Sequence, residues 1–290
     1  MAVGGFTSDT ARARFGAAYD EAMAELPAPE ATTDVATSFG TVRTYRFAAP
    51  GAAGAPLVLL PGKASSTPVW ADNLPSLLAI GRPVVTVDLL GEPGRSVQTR
   101  PITDPADQAG WLGEALDGLG LSGVHLLGLS FGGWTAFTLA RHRPELLASL
   151  ALLDPANTVG RIGAKAVLFS LGALLPLPAV VGRANMRWIA GGAEAGDLAV
   201  GRMIEIGVRG YRGALPTPAY PTDAQLRSIT VPTLVVIAGR SIIHHPARAA
   251  ARARLIPGAT VELWPDASHA LNGEFPERIA ERVARLVAAA

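Results

Sequence analysis

Short apolar runs, each the length of a β-strand, recur along the chain and alternate with stretches patterned for helix. The six runs span residues 56–60, 83–90, 124–129, 147–153, 233–238 and 260–264. Four of the six are almost continuously apolar, as strands covered on both faces by helices must be. Residues 40–47 add a strand in which apolar and polar side chains alternate. The sequence therefore predicts an α/β fold built on a mostly parallel sheet flanked by helices.

The alternation of strand and helix lapses between residues 153 and 233, where helical patterns occupy 161–175, 184–190 and 196–209. A helical insertion between two strands of one sheet is the economical interpretation. Residues 10–26 predict a further helix that two prolines terminate, Pro27 and Pro29. We therefore expect an N-terminal helix and lead-in at 1–33, a core formed by 34–156 and 229–290, and a helical cap at 157–228.

The composition limits the classes of partner that the chain can bind. Of its 290 residues 49% are apolar, and 25 basic against 24 acidic residues give a net charge of +1. This balance creates no field that would attract nucleic acid or an anionic membrane, so a small molecule is the expected partner. The apolar stretch 166–181 is shorter than the roughly 20 residues of a membrane span and contains Pro176 and Pro178. With no cysteine and no leader pattern in "MAVGGFTSDT", the sequence predicts a cytoplasmic protein.

The stretch "GLSFGG", residues 128–133, places Ser130 between a predicted buried strand and a predicted helix. A serine hydroxyl is a weak nucleophile at neutral pH, so it needs a neighbouring base and an uncrowded position. Glycines two residues before and two after the serine permit a tight turn that exposes the hydroxyl above the sheet. The same spacing also arises as a plain glycine turn, but the flanking strand and helix favour a nucleophile.

Two further turns follow buried strands. "LLPGKASSTPVW", residues 59–70, places a glycine turn after the first of them, where a backbone amide could face a developing oxyanion, and "DLLGEPGRS", residues 88–96, follows the second. Together with "GLSFGG", "LLDPA" at 152–156 and "PDASHALNGEFPE" at 265–277, this series resembles the α/β-hydrolase family over residues 34–288. Within that family the chain is most similar to bacterial carboxylesterase-type hydrolases with a helical cap.

The resemblance implies an eight-stranded sheet with the nucleophile after its fifth strand, a cap after its sixth, water as second substrate and no cofactor. Ser130 matches the family's nucleophile, and the backbone amides of Phe131 and Lys63 match its oxyanion hole. The Lys63 side chain has two interpretations: it faces solvent, or it meets a carboxylate of the substrate. His269 in "ASHALNG" matches the catalytic histidine, since it follows the last predicted strand.

The acid of the triad is where the chain departs from the family. Its usual place, after the seventh strand, corresponds to "VVIAGRSIIHHP", residues 235–246, where Ser241 or Ile242 stands instead of a carboxylate. Some family members carry the acid after the sixth strand, and Asp154 occupies that place here. An aspartate before a proline also caps turns, so this assignment is the favoured one of several. The alternatives are Asp266, or a triad without a carboxylate in which Ser241 or His245 holds the imidazole.

We expect a serine hydrolase that cleaves a carboxylic ester through an acyl-enzyme. Apolar side chains between residues 167 and 189 would line an apolar pocket if the cap closes over Ser130, or would form the core of the cap itself. Two rivals remain open. One is a thioesterase, lactonase, acyltransferase or cyclase with the same residues, and the other is a ligand-binding protein whose triad has been lost. A homodimer is compatible with the apolar fraction.

Overall fold

The computed structural model describes residues 2–163 and 198–290, and its central feature is one large β-sheet. In chain order, and with the separate pair β1 and β9 included, the strands are β1 (Gly5–Phe6), β2 (Ala31–Thr37), β3 (Gly40–Phe47), β4 (Leu57–Leu60), β5 (Val84–Val87), β6 (Val97–Gln98), β7 (Val124–Leu129), β8 (Leu147–Leu153), β9 (Tyr211–Arg212), β10 (Thr233–Ala238) and β11 (Thr260–Trp264). Eight strands are hydrogen-bonded in the order β2-β3-β5-β4-β7-β8-β10-β11, and β6 pairs with β3.

The sheet is mostly parallel. Only β3 runs against its neighbours β2, β5 and β6, whereas every adjacent pair from β5 to β11 is parallel. Parallel strands bring their carboxyl ends to one edge of the sheet, which is where ligands bind in folds of this class. The loops after β4, β5, β7, β8, β10 and β11 therefore meet at this edge, and they contain the candidate site.

Helices cover both faces of the sheet, which is why its central strands are continuously apolar. The helices of the described residues are α1 (Asp9–Met23), α2 (Leu74–Leu78), α3 (Pro105–Gly118), α4 (Phe131–His142), α5 (Ala199–Gly210), α6 (Asp223–Arg227), α7 (Pro246–Ala253), α8 (Leu271–Glu274) and α9 (Pro276–Ala289). Side chains of α3, α4 and α7 form one hydrophobic core with the sheet. Those of α1, α2 and α9 form the other.

The first described helix of the insertion, α5, packs on the N-terminal helix α1. A Cβ on Gly207 would lie 3.1 Å from the Phe15 ring and 3.1 Å from Pro93, so small residues allow this close contact. The antiparallel pair of β1 and β9 ties the start of the chain to the residues that follow α5. The N-terminal segment and the returning insertion are thus held together beside the carboxyl edge of the sheet.

The structure contains a strand or helix at each predicted position that it describes, but not all of the bounds agree: the run predicted at 83–90 is a strand only over Val84–Val87, and the helix predicted at 10–26 spans Asp9–Met23. Four of the predicted runs are strands with identical bounds: 124–129, 147–153, 233–238 and 260–264. The helix predicted at 196–209 is α5, whereas most of 161–175 and all of 184–190 lie outside the described residues. The apolar stretch 166–181 also lies outside them. None of the helices in 2–163 and 198–290 combines the length and hydrophobicity needed to cross a membrane.

Candidate active site

Ser130 occupies a sharp turn between β7 and α4. Its backbone adopts φ 52° and ψ −113°, a conformation that residues other than glycine seldom take. The turn depends on close backbone contacts, because a Cβ on Gly128 would lie 2.3 Å from the Gly132 carbonyl oxygen. A Cβ on Gly132 would lie equally close, 2.3 Å, to the Leu60 carbonyl oxygen. The glycines of "GLSFGG" are therefore required by packing, and the turn leaves the Ser130 side chain partly exposed.

His269 follows β11 and approaches Ser130 across the carboxyl edge of the sheet. Its Nε2 lies 2.9 Å from Ser130 Oγ, within hydrogen-bonding distance. On the other side of the ring, Nδ1 lies 2.6 Å from Asp154 Oδ2. The loop that carries the imidazole is fixed by Glu274, whose carboxylate accepts the Ser268 N–H at 2.7 Å. One histidine ring thus joins a hydroxyl and a carboxylate.

Asp154 directly follows β8 and its carboxylate is completely buried, with 0% of the side chain exposed. Its backbone adopts φ 41°, a left-handed conformation that aspartate tolerates better than most residues. Besides His269, Oδ2 accepts the Ser241 hydroxyl at 2.7 Å, and Oδ1 accepts the Ala238 N–H at 3.1 Å. The structure therefore places the Asp154 carboxylate in contact with the histidine. Hydrogen bonds from Ala238, at the end of β10, and from Ser241 fix its position.

A second histidine, His244, is packed against the same carboxylate. Its Nε2 lies 3.0 Å from Asp154 Oδ1, and both side chains are fully buried. The contact has the distance but not the angles of a hydrogen bond within the described residues. Burial alone would raise the pKa of Asp154, but close contact with the His244 and His269 rings, and their positive charge when protonated, outweighs it and holds the pKa well below its usual range. Asp154 is consequently ionised at neutral pH.

The other candidates for the acid lie elsewhere. Asp266 and His245 are exposed, and neither contacts His269 among the residues that the structure describes. Ser241 does reach the site, but its hydroxyl donates to Asp154 and not to the imidazole. Ile242 has no polar group to offer.

Two backbone amides flank Ser130. Phe131 is the first residue of α4, where amides lack partners within the helix, and Lys63 follows β4. Neither N–H donates a hydrogen bond to another residue of 2–163 or 198–290. Gly62, next to Lys63, approaches the nucleophile closely, since a Cβ there would lie 3.6 Å from Ser130 Cβ. Both amides are therefore available beside the hydroxyl, and the Lys63 side chain is exposed.

The sequence motifs and this geometry agree with one protein family. The sequence model of the Alpha/beta hydrolase family matches residues 57–282, which is most of the chain. The chain belongs to the α/β-hydrolase family. Among curated relatives of this α/β-hydrolase, carboxylesterase YbfK of Bacillus subtilis is 30% identical over 279 residues, covering 93% of this chain and 92% of the relative. A second B. subtilis protein, the uncharacterized carboxylesterase nap, is 28% identical over 281 residues, covering 94% of this chain and 91% of that protein.

Solved structures show the same similarity. The crystal structure of carboxylesterase CesB (YbfK) from B. subtilis matches with a TM-score of 0.88 and 26% identity, covering 97% of this chain and 99% of that one. The naproxen esterase of the same organism matches with a TM-score of 0.88 and 27% identity at the same coverage. The fold expected from the sequence, an α/β-hydrolase fold with a mostly parallel sheet, is confirmed.

Sequence reasoning overlooked two contributors to the site of this α/β-hydrolase. The sequence favours His269 over His244 as the catalytic base and gives His244 no further role, yet His244 packs on the Asp154 carboxylate. Glu92, in the "GEPG" phrase, received no role, yet it is buried beside Lys63. Neither residue has a local sequence signal, because burial against a distant loop depends on strand order. No cluster of histidine, aspartate and glutamate suited to a metal ion occurs in the described ranges.

Proposed function

We propose that this α/β-hydrolase cleaves carboxylic esters of small substrates through an acyl-enzyme intermediate. Ester hydrolysis is the activity that the relatives named carboxylesterases support, and these relatives match the chain over more than nine-tenths of its length. One observation carries the mechanism: Ser130, His269 and Asp154 form a continuous hydrogen-bonded series with distances of 2.9 and 2.6 Å. This is the arrangement that activates a serine for acyl transfer.

Acylation begins when Ser130 Oγ attacks the carbonyl carbon of the ester. His269 Nε2 accepts the hydroxyl proton as the new bond forms, which gives a tetrahedral intermediate and an imidazolium. When the bond between the carbonyl carbon and the alcohol oxygen breaks, His269 returns its proton to the departing alcohol. Water then attacks the acyl carbon, gives one proton to His269, and releases the acid as Ser130 Oγ regains that proton.

Asp154 stabilises the imidazolium and fixes its tautomer. Because the carboxylate accepts at Nδ1, the unprotonated nitrogen of the neutral ring is Nε2, which faces the Ser130 hydroxyl. The depressed pKa of Asp154 keeps this carboxylate charged throughout turnover. The acid position after β8 thus takes the part that a carboxylate after β10 usually plays in the family.

The amides of Phe131 and Lys63 act as the oxyanion hole in this proposal. Their unpaired N–H groups flank the Ser130 hydroxyl, where negative charge develops on the former carbonyl oxygen. Removing one such donor typically costs about 3 to 4 kcal/mol of transition-state stabilisation. The side chains at both positions are secondary to this role, since the backbone supplies the donors.

Residues 157–228 form a cap in this proposal, with the core in 34–156 and 229–290 and a lead-in at 1–33. The packing of α5 against α1 and the loop after β5 supports a cap that returns across the carboxyl edge. The apolar side chains expected to line a pocket, between 167 and 189, lie outside the described residues. We infer a preference for small apolar esters, and the cytoplasmic location and the homodimer stay predictions.

The two rival functions are weaker. Thioesterases, lactonases, acyltransferases and cyclases would use the same three side chains, but the relatives that match nearly the whole chain are named carboxylesterases. A ligand-binding protein that had lost its triad would have no need of an ionised, buried carboxylate on the histidine. The intact Ser130–His269–Asp154 series therefore favours catalysis.

Labelling with a fluorophosphonate probe tests the proposal, because only an activated serine reacts with it. We expect the wild-type protein to be labelled and to hydrolyse p-nitrophenyl esters of graded chain length, while Ser130→Ala does neither and keeps its circular dichroism spectrum. Ser122→Ala is the matched control, since this serine is exposed and precedes β7 at the opposite edge of the sheet. Absence of both labelling and hydrolysis in the wild-type protein would favour the ligand-binding alternative.

A further inference from the structure

Glu92 is a carboxylate buried in the loop that follows β5, with only 4% of the residue exposed. Its two neighbours in the chain pack against residues of the returning insertion. A Cβ on Gly91 would lie 2.6 Å from the Leu215 side chain, and Pro93 packs against Gly207 of α5. No salt bridge to Glu92 occurs among the described residues. A buried carboxylate without a counter-ion in contact is costly, so its position calls for an explanation.

Within 2–163 and 198–290 this carboxylate accepts one hydrogen bond, which shows where it points. Glu92 Oε2 accepts the backbone N–H of Ala64 at 2.7 Å. Ala64 has φ 56°, a left-handed conformation that costs free energy in a residue with a Cβ. A charge-assisted hydrogen bond to its amide offsets part of this cost and fixes the orientation of the peptide between residues 63 and 64.

The Lys63 N–H, which is the candidate oxyanion donor, lies between two residues whose positions are fixed by contacts. On one side of Lys63, Gly62 approaches Ser130 to within van der Waals distance, 3.6 Å for a hypothetical Cβ. On the other side, Ala64 is bound to Glu92. Rotation of the Lys63 N–H away from the site would require one of these anchors to yield.

We propose that Glu92 is a positioning residue, which holds the Ala64 amide so that the Lys63 N–H points at the oxyanion. This inference rests on the proposed function, because it assumes that the Lys63 amide stabilises the transition state. Glu92 itself does not touch the reacting atoms. Its contribution is the pre-orientation of a donor, which costs nothing further at the moment of reaction.

The charge of Glu92 depends on pH in a range where enzymes work. Burial raises the pKa of Glu92 to about 7, while the hydrogen bond from Ala64 and the positive charge of Lys63 act in the opposite direction. Among the described residues, the charge of Glu92 in turn affects Tyr211 of β9. Burial, and then the charge of Glu92, raises the pKa of Tyr211, which stays a neutral hydroxyl. Below neutral pH the Ala64 amide therefore loses its charged acceptor.

Steady-state kinetics of two variants test the role. Glu92→Leu removes the acceptor, and we expect kcat for a p-nitrophenyl ester to fall about 10- to 100-fold with KM within threefold, because oxyanion donors act in the transition state. Glu92→Gln keeps an acceptor oxygen, and we expect kcat at pH 8 within about fivefold of wild type. Asp107→Asn is the control, since Asp107 accepts the Thr103 amide at 2.9 Å far from the site.

The pH profile separates positioning from packing. The catalytic histidine contributes one protonation to the acidic limb of log(kcat/KM), which by itself has a slope of about 1. Loss of the Glu92 charge in the same range lowers activity further, by at most about the fivefold expected for Glu92→Gln at pH 8, so the wild-type limb should be steeper around neutral pH than that of Glu92→Gln, whose slope stays about 1. Equal slopes in the two proteins, or a Glu92→Leu variant with wild-type kcat, would overturn the proposal.

A nuclear magnetic resonance titration tests the contact without using activity. In Ser130→Ala labelled with [15N]alanine, the Ala64 amide signal should shift with a midpoint near pH 7, and the shift should vanish in Ser130→Ala/Glu92→Gln. An amide that does not titrate would refute the contact. If the amide titrates but the wild-type protein hydrolyses no ester and binds no fluorophosphonate, the proposed function fails and the contact stands. If Glu92→Leu does not fold, Glu92→Gln and the titration decide.

Discussion

Replacing Asp154 by asparagine changes one atom of the candidate triad and tests the member that departs from the family's usual position. Oδ2 of Asp154 accepts from His269 and from Ser241, while Oδ1 accepts the Ala238 N–H. An asparagine has one acceptor oxygen for these donors. If its oxygen meets Ala238, its NH₂ group faces His269 Nδ1, which must then become the unprotonated nitrogen.

The magnitude follows from that tautomer. A ring that accepts at Nδ1 carries its proton on Nε2, so it donates toward Ser130 Oγ at 2.9 Å instead of taking the hydroxyl proton. Loss of the correct tautomer and of the imidazolium's counter-charge lowers turnover by a factor on the order of 10⁴ in a serine triad. That factor corresponds to about 5 kcal/mol of transition-state stabilisation. The side chain volume is unchanged, so the fold should persist.

The assay is kcat/KM for a p-nitrophenyl ester, with circular dichroism as a check on folding. Asp266→Asn is the matched control, because Asp266 is exposed three residues before His269 and makes no contact with it in the described structure. We expect the control to keep activity within about threefold of wild type. A loss of less than tenfold in Asp154→Asn would refute the reasoning and reduce Asp154 to a turn-capping residue.

A transplanted carboxylate extends the same test. Ser241 Oγ lies 2.7 Å from Asp154 Oδ2, the atom that meets the imidazole, so a carboxylate at position 241 is within reach of the same nitrogen. We expect the double variant Asp154→Asn/Ser241→Asp to be at least tenfold more active than Asp154→Asn. Ser241→Asp alone should give no gain, because Asp154 already holds the histidine. A gain in the single variant would favour the family's usual acid position.

Two further predictions concern the frame of the site. Gly132→Ala places a Cβ 2.3 Å from the Leu60 carbonyl oxygen, so we expect a loss of about 1 to 3 kcal/mol in urea unfolding and at least tenfold in activity. Gly5→Ala, whose Cβ meets nothing within 4 Å, should change neither, and equal behaviour of the two variants would contradict the packing argument. Glu92 has a folded-state pKa of about 7, above the ordinary 4.5. Its neutral form therefore contributes fully to the stability of the folded protein below pH 4.5, and this contribution is lost as the pH rises through 7. Relative to wild type, Glu92→Gln should therefore become more stable as the pH rises, by up to about 3 kcal/mol of unfolding free energy between pH 4 and pH 8. A difference between the two proteins that does not change with pH would refute the burial argument.

The sequence by itself determined the fold class and the ends of the four strands β7, β8, β10 and β11. The reason is physical, because strands buried on both faces must be apolar at every position, and turns bound them. The same logic fails for β2, whose residues "ATTDVAT" are mostly exposed at the edge of the sheet and carry little apolar signal. The two-residue strands β1, β6 and β9 are too short to have a pattern.

Within the candidate site, local motifs were sufficient for Ser130 and His269. The glycines around Ser130 are there because the turn excludes a Cβ, and that requirement is visible in the sequence as "GLSFGG". His269 stands directly after the last strand with small neighbours. The catalytic roles of both residues stay predictions until the variants are measured.

Tertiary structure alone decided which groups meet the histidine. Asp154 is 115 residues from His269 in the chain, and only the order β8-β10-β11 brings the ends of their strands together. The sequence left Asp154, Asp266 and a triad without carboxylate open, because distance along a chain does not give distance in space. The same holds for Glu92, whose burial comes from the insertion that returns more than a hundred residues later, near Leu215. Desolvation, which raises the pKa of Glu92, and the buried contacts with histidine, which keep Asp154 charged, are both properties of packing and have no counterpart in local sequence.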